Sequence, residues 1–185
     1  MEPAIQFDEI DQYGEQKIAR KLELSVEDLK REEILRVGDV NVDVTGRPGD
    51  LEGEYIAEGS VNFVADLLCS RCVDGYPFAN HSEFTVRYRP SSGLGGVEEE
   101  VQLGQDELDV ESYEERLIVL RELAIEQIQL SLPMKPLCEE SCRGLCPTCG
   151  ENLNIGSCAC AENLVDPRWD ALKGIRAELD KKKNN

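Results

Sequence analysis

At 185 residues the chain has the length of about one domain, and its 41% hydrophobic residues suffice for a core although only 5% are aromatic. Its 38 acidic against 20 basic residues give a formal charge of -18, a field that repels polyanions, excludes unassisted non-specific nucleic-acid binding and favours a basic protein partner. No apolar run approaches the roughly 18 to 20 residues needed to cross a bilayer, and Met1–Gln6 lacks the basic and apolar regions of a secretory signal, which places the chain in the cytoplasm.

Residues 1–33 begin as a polar, charged arm. Ser25-Val26-Glu27-Asp28 has the spacing of a capping box and predicts a short helix from about Val26 to Arg31 that covers a sheet edge. From Ile34 to Pro90 the period changes to two: Val40, Val42 and Val44, then Val61, Phe63, Ala65 and Leu67, then Phe84, Val86 and Tyr88 alternate with polar residues. That alternation predicts three half-buried antiparallel strands, with a turn-rich break at Gly46–Asp50 and a connection at Cys69–Ser82.

Ser91–Gly96 reads as a loop, and Val97–Glu115 holds nine acids and no base. Such a run is either a solvated face or a docking surface for a basic partner, with Leu108 and Val110 forming a short edge strand inside it. Ser112-Tyr113-Glu114-Glu115 is a second capping-box signature and predicts a long helix, with Leu117, Leu120, Ala124 and Ile128 on a stripe widened by Ile118, Ile125 and Leu132. This helix packs on the sheet and ends at Leu132-Pro133, after which two prolines keep the chain extended into Cys138. Asp166-Pro167 then opens a terminal helix bearing Trp169, Leu172 and Leu179. Between Pro167 and Asn185 six bases face three acids, the only distinctly basic element of the chain.

These patterns predict an α+β fold: an antiparallel sheet, open or closed into a barrel, packed by a long helix over residues 1–137, followed by a small cysteine-rich module and a terminal helix over 138–185. The module is too small and polar to bury a core of its own. In a reducing compartment eight cysteines favour thiolate metal ligation over disulfides, although a secreted disulfide scaffold is the alternative. Zinc takes thiolates tetrahedrally, and Cys146-Pro147-Thr148-Cys149-Gly150 is a strong knuckle signature because proline presets the bend and glycine permits positive φ. Cys69-Ser70-Arg71-Cys72 is the second C-x-x-C. Two ligand sets are open. Cys69, Cys72, Cys146 and Cys149 can share one zinc, leaving Cys138, Cys142, Cys158 and Cys160 for a second or for none; the favoured local set instead joins Cys146 and Cys149 to Cys158 and Cys160. One or two structural zinc ions result.

Enzymatic chemistry finds little support. A catalytic zinc keeps an open position and commonly uses histidine or carboxylate, whereas the single histidine, His81, has no second histidine beside it. A redox C-x-x-C usually opens a helix in a βαβ context, which the pattern lacks, and no phosphate loop or nucleophile elbow occurs. A non-enzyme is expected. A zinc-stabilised RNA-binding module and a thiol redox or metal-handling protein are the alternatives.

Cys69-Ser70-Arg71-Cys72 after an alternating strand, Ile125–Ile128 leading to Leu132-Pro133-Met134-Lys135-Pro136-Leu137-Cys138, Cys142–Gly150 with Asn152-Leu153-Asn154, and Asp166-Pro167-Arg168-Trp169 with Ala171-Leu172-Lys173 follow one another in a specific order. Over about residues 20 to 180 this order resembles the YceD family, the large ribosomal RNA subunit accumulation proteins. The resemblance implies a ribosome biogenesis role in 23S ribosomal RNA maturation or accumulation and large-subunit assembly, without enzymatic activity. It also implies a large-subunit ribosomal protein, such as a small zinc-binding one, or a precursor particle as partner. On that reading the acidic surface engages a basic partner, while Arg71, Arg168, Lys173 and Arg176 make limited contact with that partner or with RNA.

Overall fold

The computed structural model describes residues 2–91 and 110–160. The chain divides into two compact units, Met1–Cys142 and Arg143–Asn185, so that Cys138 and Cys142 stay with the larger unit. The basic segment with Arg168, Trp169, Lys173 and Arg176, and most of the acidic run after residue 91, lie outside the described residues.

In chain order the larger unit contains β1 (Ala4–Gln6), α1 (Phe7–Tyr13), β2 (Gln16–Leu22), α2 (Val26–Leu29), β3 (Ile34–Pro48), β4 (Tyr55–Leu68), β5 (Gly75–Pro90), β6 (Val110–Tyr113), β7 (Leu117–Val119) and α3 (Leu120–Ser131). β2, β3, β4, β5 and β6 form one sheet in sequence order, while β1 and β7 form a separate antiparallel pair. β6 runs parallel to β5, so the sheet is mixed, and with β2 and β6 at opposite edges it is open. The barrel alternative is thereby set aside.

The period of two explains the core. Along β3 and β4, Val40, Val42 and Val44 and then Ala57, Val61, Phe63, Ala65 and Leu67 all point to one buried face. Against that face lie Leu120, Leu123, Ala124 and Ile128 of α3, Leu29 of α2, and Ile5, Phe7 and Ile10 from the first two elements. The polar arm expected at the N-terminus is thus partly core: Phe7 stacks on Tyr55 at 3.9 Å between ring centroids. Close packing within the sheet leaves no room at Gly59, where an added Cβ would sit 2.1 Å from the Asp43 carbonyl oxygen.

The capping box at Ser25 forms as expected, its hydroxyl accepting from the Asp28 N–H and the Asp28 carboxylate accepting from the Ser25 N–H. Asp28 also accepts from Arg121 of α3 at 2.7 Å, which ties the short helix to the longer one. The signature at Ser112 behaves differently. Tyr113 donates its hydroxyl to the Gly53 carbonyl at 2.8 Å and packs edge-on to Phe7, so Val110–Tyr113 is drawn out as the edge strand β6. The helix begins only at Leu120, without a side-chain cap, and runs for 12 residues; it is shorter than the sequence pattern suggests, and Leu117 and Ile118 belong to β7.

Candidate metal centre

β4 and β5 pair in unbroken register from Tyr55 opposite Tyr88 to Leu68 opposite Gly75. The long hairpin therefore carries its tip, Cys69–Asp74, to one end of the sheet. The tip is a tight turn in which the Cys69 N–H donates to the Asp74 carbonyl and the Val73 N–H to the Cys69 carbonyl, both at 2.9 Å. After α3, the extended segment through Pro133 and Pro136 passes alongside: the Ser70 N–H and hydroxyl both donate to the Pro136 carbonyl at 2.8 Å. This brings Cys138 and Cys142 to Cys69 and Cys72.

The sulfurs of Cys69, Cys72, Cys138 and Cys142 lie within 4.8 Å of one another, and those of Cys146, Cys149, Cys158 and Cys160 form a second group of the same compactness. In the first group Cys69 and Cys142 are 3.7 Å apart and Cys72 and Cys138 3.8 Å. Four thiolates at about 2.3 Å from a common zinc stand about 3.8 Å apart along each edge of the tetrahedron, whereas a disulfide requires about 2.05 Å. The sulfur spacing suits a metal, and none of the eight cysteines forms a disulfide. Each set supplies four soft donors and so leaves no open position on a tetrahedral ion, the donor arrangement of a structural site.

The second group contains the local set favoured by the sequence. The alternative that joined Cys69 and Cys72 to Cys146 and Cys149 is overturned: the hairpin pair takes Cys138 and Cys142 as its partners, and the knuckle takes Cys158 and Cys160. The sequence left Cys138 and Cys142 without assigned partners because six of the thiols crowd into one stretch, while Cys69 and Cys72, which complete their group, precede the whole α3 segment in the chain.

Both C-x-x-C turns are built alike. In the second, the Cys146 N–H donates to the Glu151 carbonyl at 2.8 Å, the Gly150 N–H to the Cys146 carbonyl at 2.9 Å, and the Thr148 N–H points at the Cys146 sulfur at 3.5 Å. The residue after the second cysteine is left-handed in each, Val73 with φ 61° and Gly150 with φ 78°. A short bridge between Leu145 and Asn152 closes the second turn, and the Asn154 side chain accepts from the Arg143 N–H at 2.7 Å.

The electrostatics follow from these turns. Burial pushes the Cys69 thiol up, but N–H groups of Cys72, Cys138 and Arg71 directed at its sulfur together outweigh burial and bring it down to about 6. The N–H groups of Cys149 and Thr148 do the same for Cys146, also to about 6. Cys72 and Cys138 in the first group, and Cys158 and Cys160 in the second, are pushed the other way. The Asp74 N–H favours the Cys72 thiolate, yet burial and the neighbouring sulfurs prevail and push it up to about 12; Cys160 is pushed up to about 12, first by Cys149. One thiolate forms readily in each set, and ionising the raised thiols beside it is the step that a bound cation would favour.

Arg71 sits between the two cysteines of its own turn, and its Nη1 donates to the carbonyl oxygens of Glu140 at 3.0 Å and Cys142 at 2.8 Å. The structure thus gives this arginine a local task, holding the chain around Cys142, in place of a guanidinium wholly directed outward. His81 lies on the solvent side of β5, where its Nδ1 is 2.7 Å from Asn62 Oδ1, and it belongs to neither sulfur group.

A family model described as the large ribosomal RNA subunit accumulation protein YceD matches residues 57–176, which is more than half of the chain and includes all eight cysteines. The chain belongs to the YceD family. Its relatives include the chloroplastic large ribosomal RNA subunit accumulation protein YCED homolog 1 of Zea mays, 31% identical over 159 residues that cover 74% of this chain and 52% of that protein. An uncharacterized protein of Mycobacterium bovis is 29% identical over 129 residues, 66% of this chain and 58% of its own. This YceD chain thus spans little more than half the length of these relatives. No solved structure matches it. Among the described residues no helix is long and apolar enough to cross a membrane.

Proposed function

We propose that this YceD protein supports accumulation of the large-subunit ribosomal RNA as a non-enzymatic assembly factor in the cytoplasm, contributing to 23S maturation and large-subunit assembly. The observation that carries this reading is the family match over residues 57–176, which takes in the central hairpin, α3 and both sulfur groups. The complete four-sulfur sets support a structural use of the cysteines, because neither leaves a donor position for substrate. In this proposal each set holds one zinc ion, the metal whose softness and tetrahedral preference suit four thiolates. The partners are a basic protein of the large subunit or a precursor particle, matched to the charge of -18.

Depleting the protein from its cell and comparing the two subunit RNAs tests the functional reading. Mature large-subunit RNA should fall relative to small-subunit RNA; an unchanged ratio overturns it. Metal analysis of protein purified under reducing conditions tests the metal reading, with about two zinc ions per chain expected from the two four-thiolate sets. Iron with sulfide, or protein that folds fully with no bound metal, would overturn zinc.

A further inference from the structure

Between β6, β7 and the first turns of α3 lies a cavity of about 390 Å³ lined by Tyr88, Leu117, Leu123 and five glutamates, Glu111, Glu114, Glu115, Glu122 and Glu126. A second cavity of about 310 Å³ continues from it along the β5 edge past Phe84, Val86 and Leu130. Glu111 and Glu126 line both, so the two form one trough. Among the described residues no lysine, arginine or histidine lines either part, and the ion pairs of the larger unit leave these five glutamates out.

Acidity alone would describe any solvated face of so acidic a chain. Tyr88 adds a second observation. Its side chain is 9% exposed and lies in the trough, yet its hydroxyl has no hydrogen-bond partner among the described residues. No described side-chain oxygen or nitrogen sealed from solvent lacks a partner, so the hydroxyl is reached from outside, and the trough is the opening it lines. Glu111 and Glu126 face each other near this hydroxyl, an acid against an acid; burial first, and then Glu111, hold the Glu126 carboxyl above the usual carboxylate range. The trough therefore presents apolar walls, a hydroxyl with no partner among the described residues, and two acids so close that both can ionise only at a cost that a cation between them would relieve. Lysine and arginine side chains satisfy that combination, since their methylene stems pack on apolar walls while the charged head reaches carboxylate.

We infer that this trough is a docking site for an extended lysine- or arginine-bearing segment of a basic protein. The inference rests on the proposed role as a factor with a basic partner, and gives that partner a place to bind.

The test uses the full-length, metal-loaded chain and a fluorescently labelled, unstructured peptide alternating arginine with valine, titrated by anisotropy at low and physiological salt. Glu111→Gln with Glu126→Gln should weaken binding about tenfold, or about 1.4 kcal/mol. Glu32→Gln with Glu52→Gln removes the same charge from exposed positions off the trough and should leave affinity within about twofold. Tyr88→Phe should cost about threefold, the lower end for one neutral hydrogen bond, without changing the melting temperature. Equal weakening by both glutamine pairs, or wild-type binding by the trough pair, overturns the docking site. So does saturation of the trough by magnesium alone with no competition from peptide. Recovery of large-subunit precursor on the tagged protein separates the two levels. A trough variant that keeps the precursor fully refutes the docking site and spares the assembly role. A wild-type chain that binds peptide in the trough but recovers no precursor refutes the assembly role and spares the site.

Discussion

Replacing Cys138 with serine and, separately, Cys149 with serine makes the two sulfur groups report on different parts of the molecule. Both thiols are exposed, so serine removes a ligand with little loss of packing. The first group joins Cys72 to Cys138 across a separation of 66 residues, and the chain entropy removed by closing a loop of that length is about 4 kcal/mol at 25 °C. The second closes only the short interval from Cys149 to Cys158, for which the same relation gives roughly 2.5 kcal/mol, confined to the smaller unit. For a unit of the length of Met1–Cys142, a loss of about 4 kcal/mol lowers the melting temperature by roughly 13 °C. Melting followed by circular dichroism, with hydrogen exchange of peptides from β4 and β5 to assign the transition, should show that drop in Cys138→Ser and no comparable drop in Cys149→Ser. A chelator should bring the wild-type sheet down to the Cys138→Ser value and leave that variant nearly unmoved. An equal fall in the two variants, or an unmoved sheet transition in Cys138→Ser, would refute the assignment of a long-range clamp to the first group.

Other perturbations follow from single geometries. Val73 is β-branched, 58% exposed and held at φ 61°, so Val73→Gly relieves backbone strain at little packing cost and should raise sheet stability by about 1 kcal/mol in a denaturant titration. Gly59→Ala forces a methyl into the backbone of β3 and should cost about 3 kcal/mol, with a lowered melting midpoint as the readout. Hydrogen bonds from the Ser25 backbone and side chain, and then from Arg121, hold the Asp28 carboxyl down at about 2. Its contribution is therefore complete above the unfolded value near 4 and lost as pH falls toward 2. The difference in melting temperature between wild type and Asp28→Asn should be constant from neutral pH to about 5 and then shrink progressively as pH falls through about 2; a difference that keeps its neutral-pH size at the lowest pH would contradict the capping role.

Strands β3 and β4 were legible because a half-buried sheet imposes its period on the residues, and Val40, Val42, Val44 and Val61 through Leu67 carry it plainly. Ser25 was legible for the same kind of reason, since a capping box is a local bond between residues three apart. Ser112 bears the same letters without the same outcome. There the Tyr113 hydroxyl and ring find long-range partners in Gly53 and Phe7, and tertiary contact overrides the local preference. The knuckle at Cys146 and Cys149, with its favoured partners Cys158 and Cys160, could be read because all of it is local. Pairing of Cys138 and Cys142 with the hairpin could not, since it depends on where α3 ends and on the Ser70 contacts with Pro136. Two turns of one design, each supplying two thiols, do call for two further pairs, and an equal division of the eight was the available signal.

The two sulfur groups also differ in when they can exist. Every ligand of the second group emerges from the ribosome within one short stretch, so that site can load metal as soon as its own residues are free. The hairpin thiols must instead wait through the synthesis of β6, β7 and α3 until Cys138 and Cys142 arrive. Assembly of the four thiols of the first group is therefore a record that the sheet and its covering helix are already in place. A nascent chain halted before Cys138 should hold the hairpin thiols open to alkylation, and the finished protein should protect them.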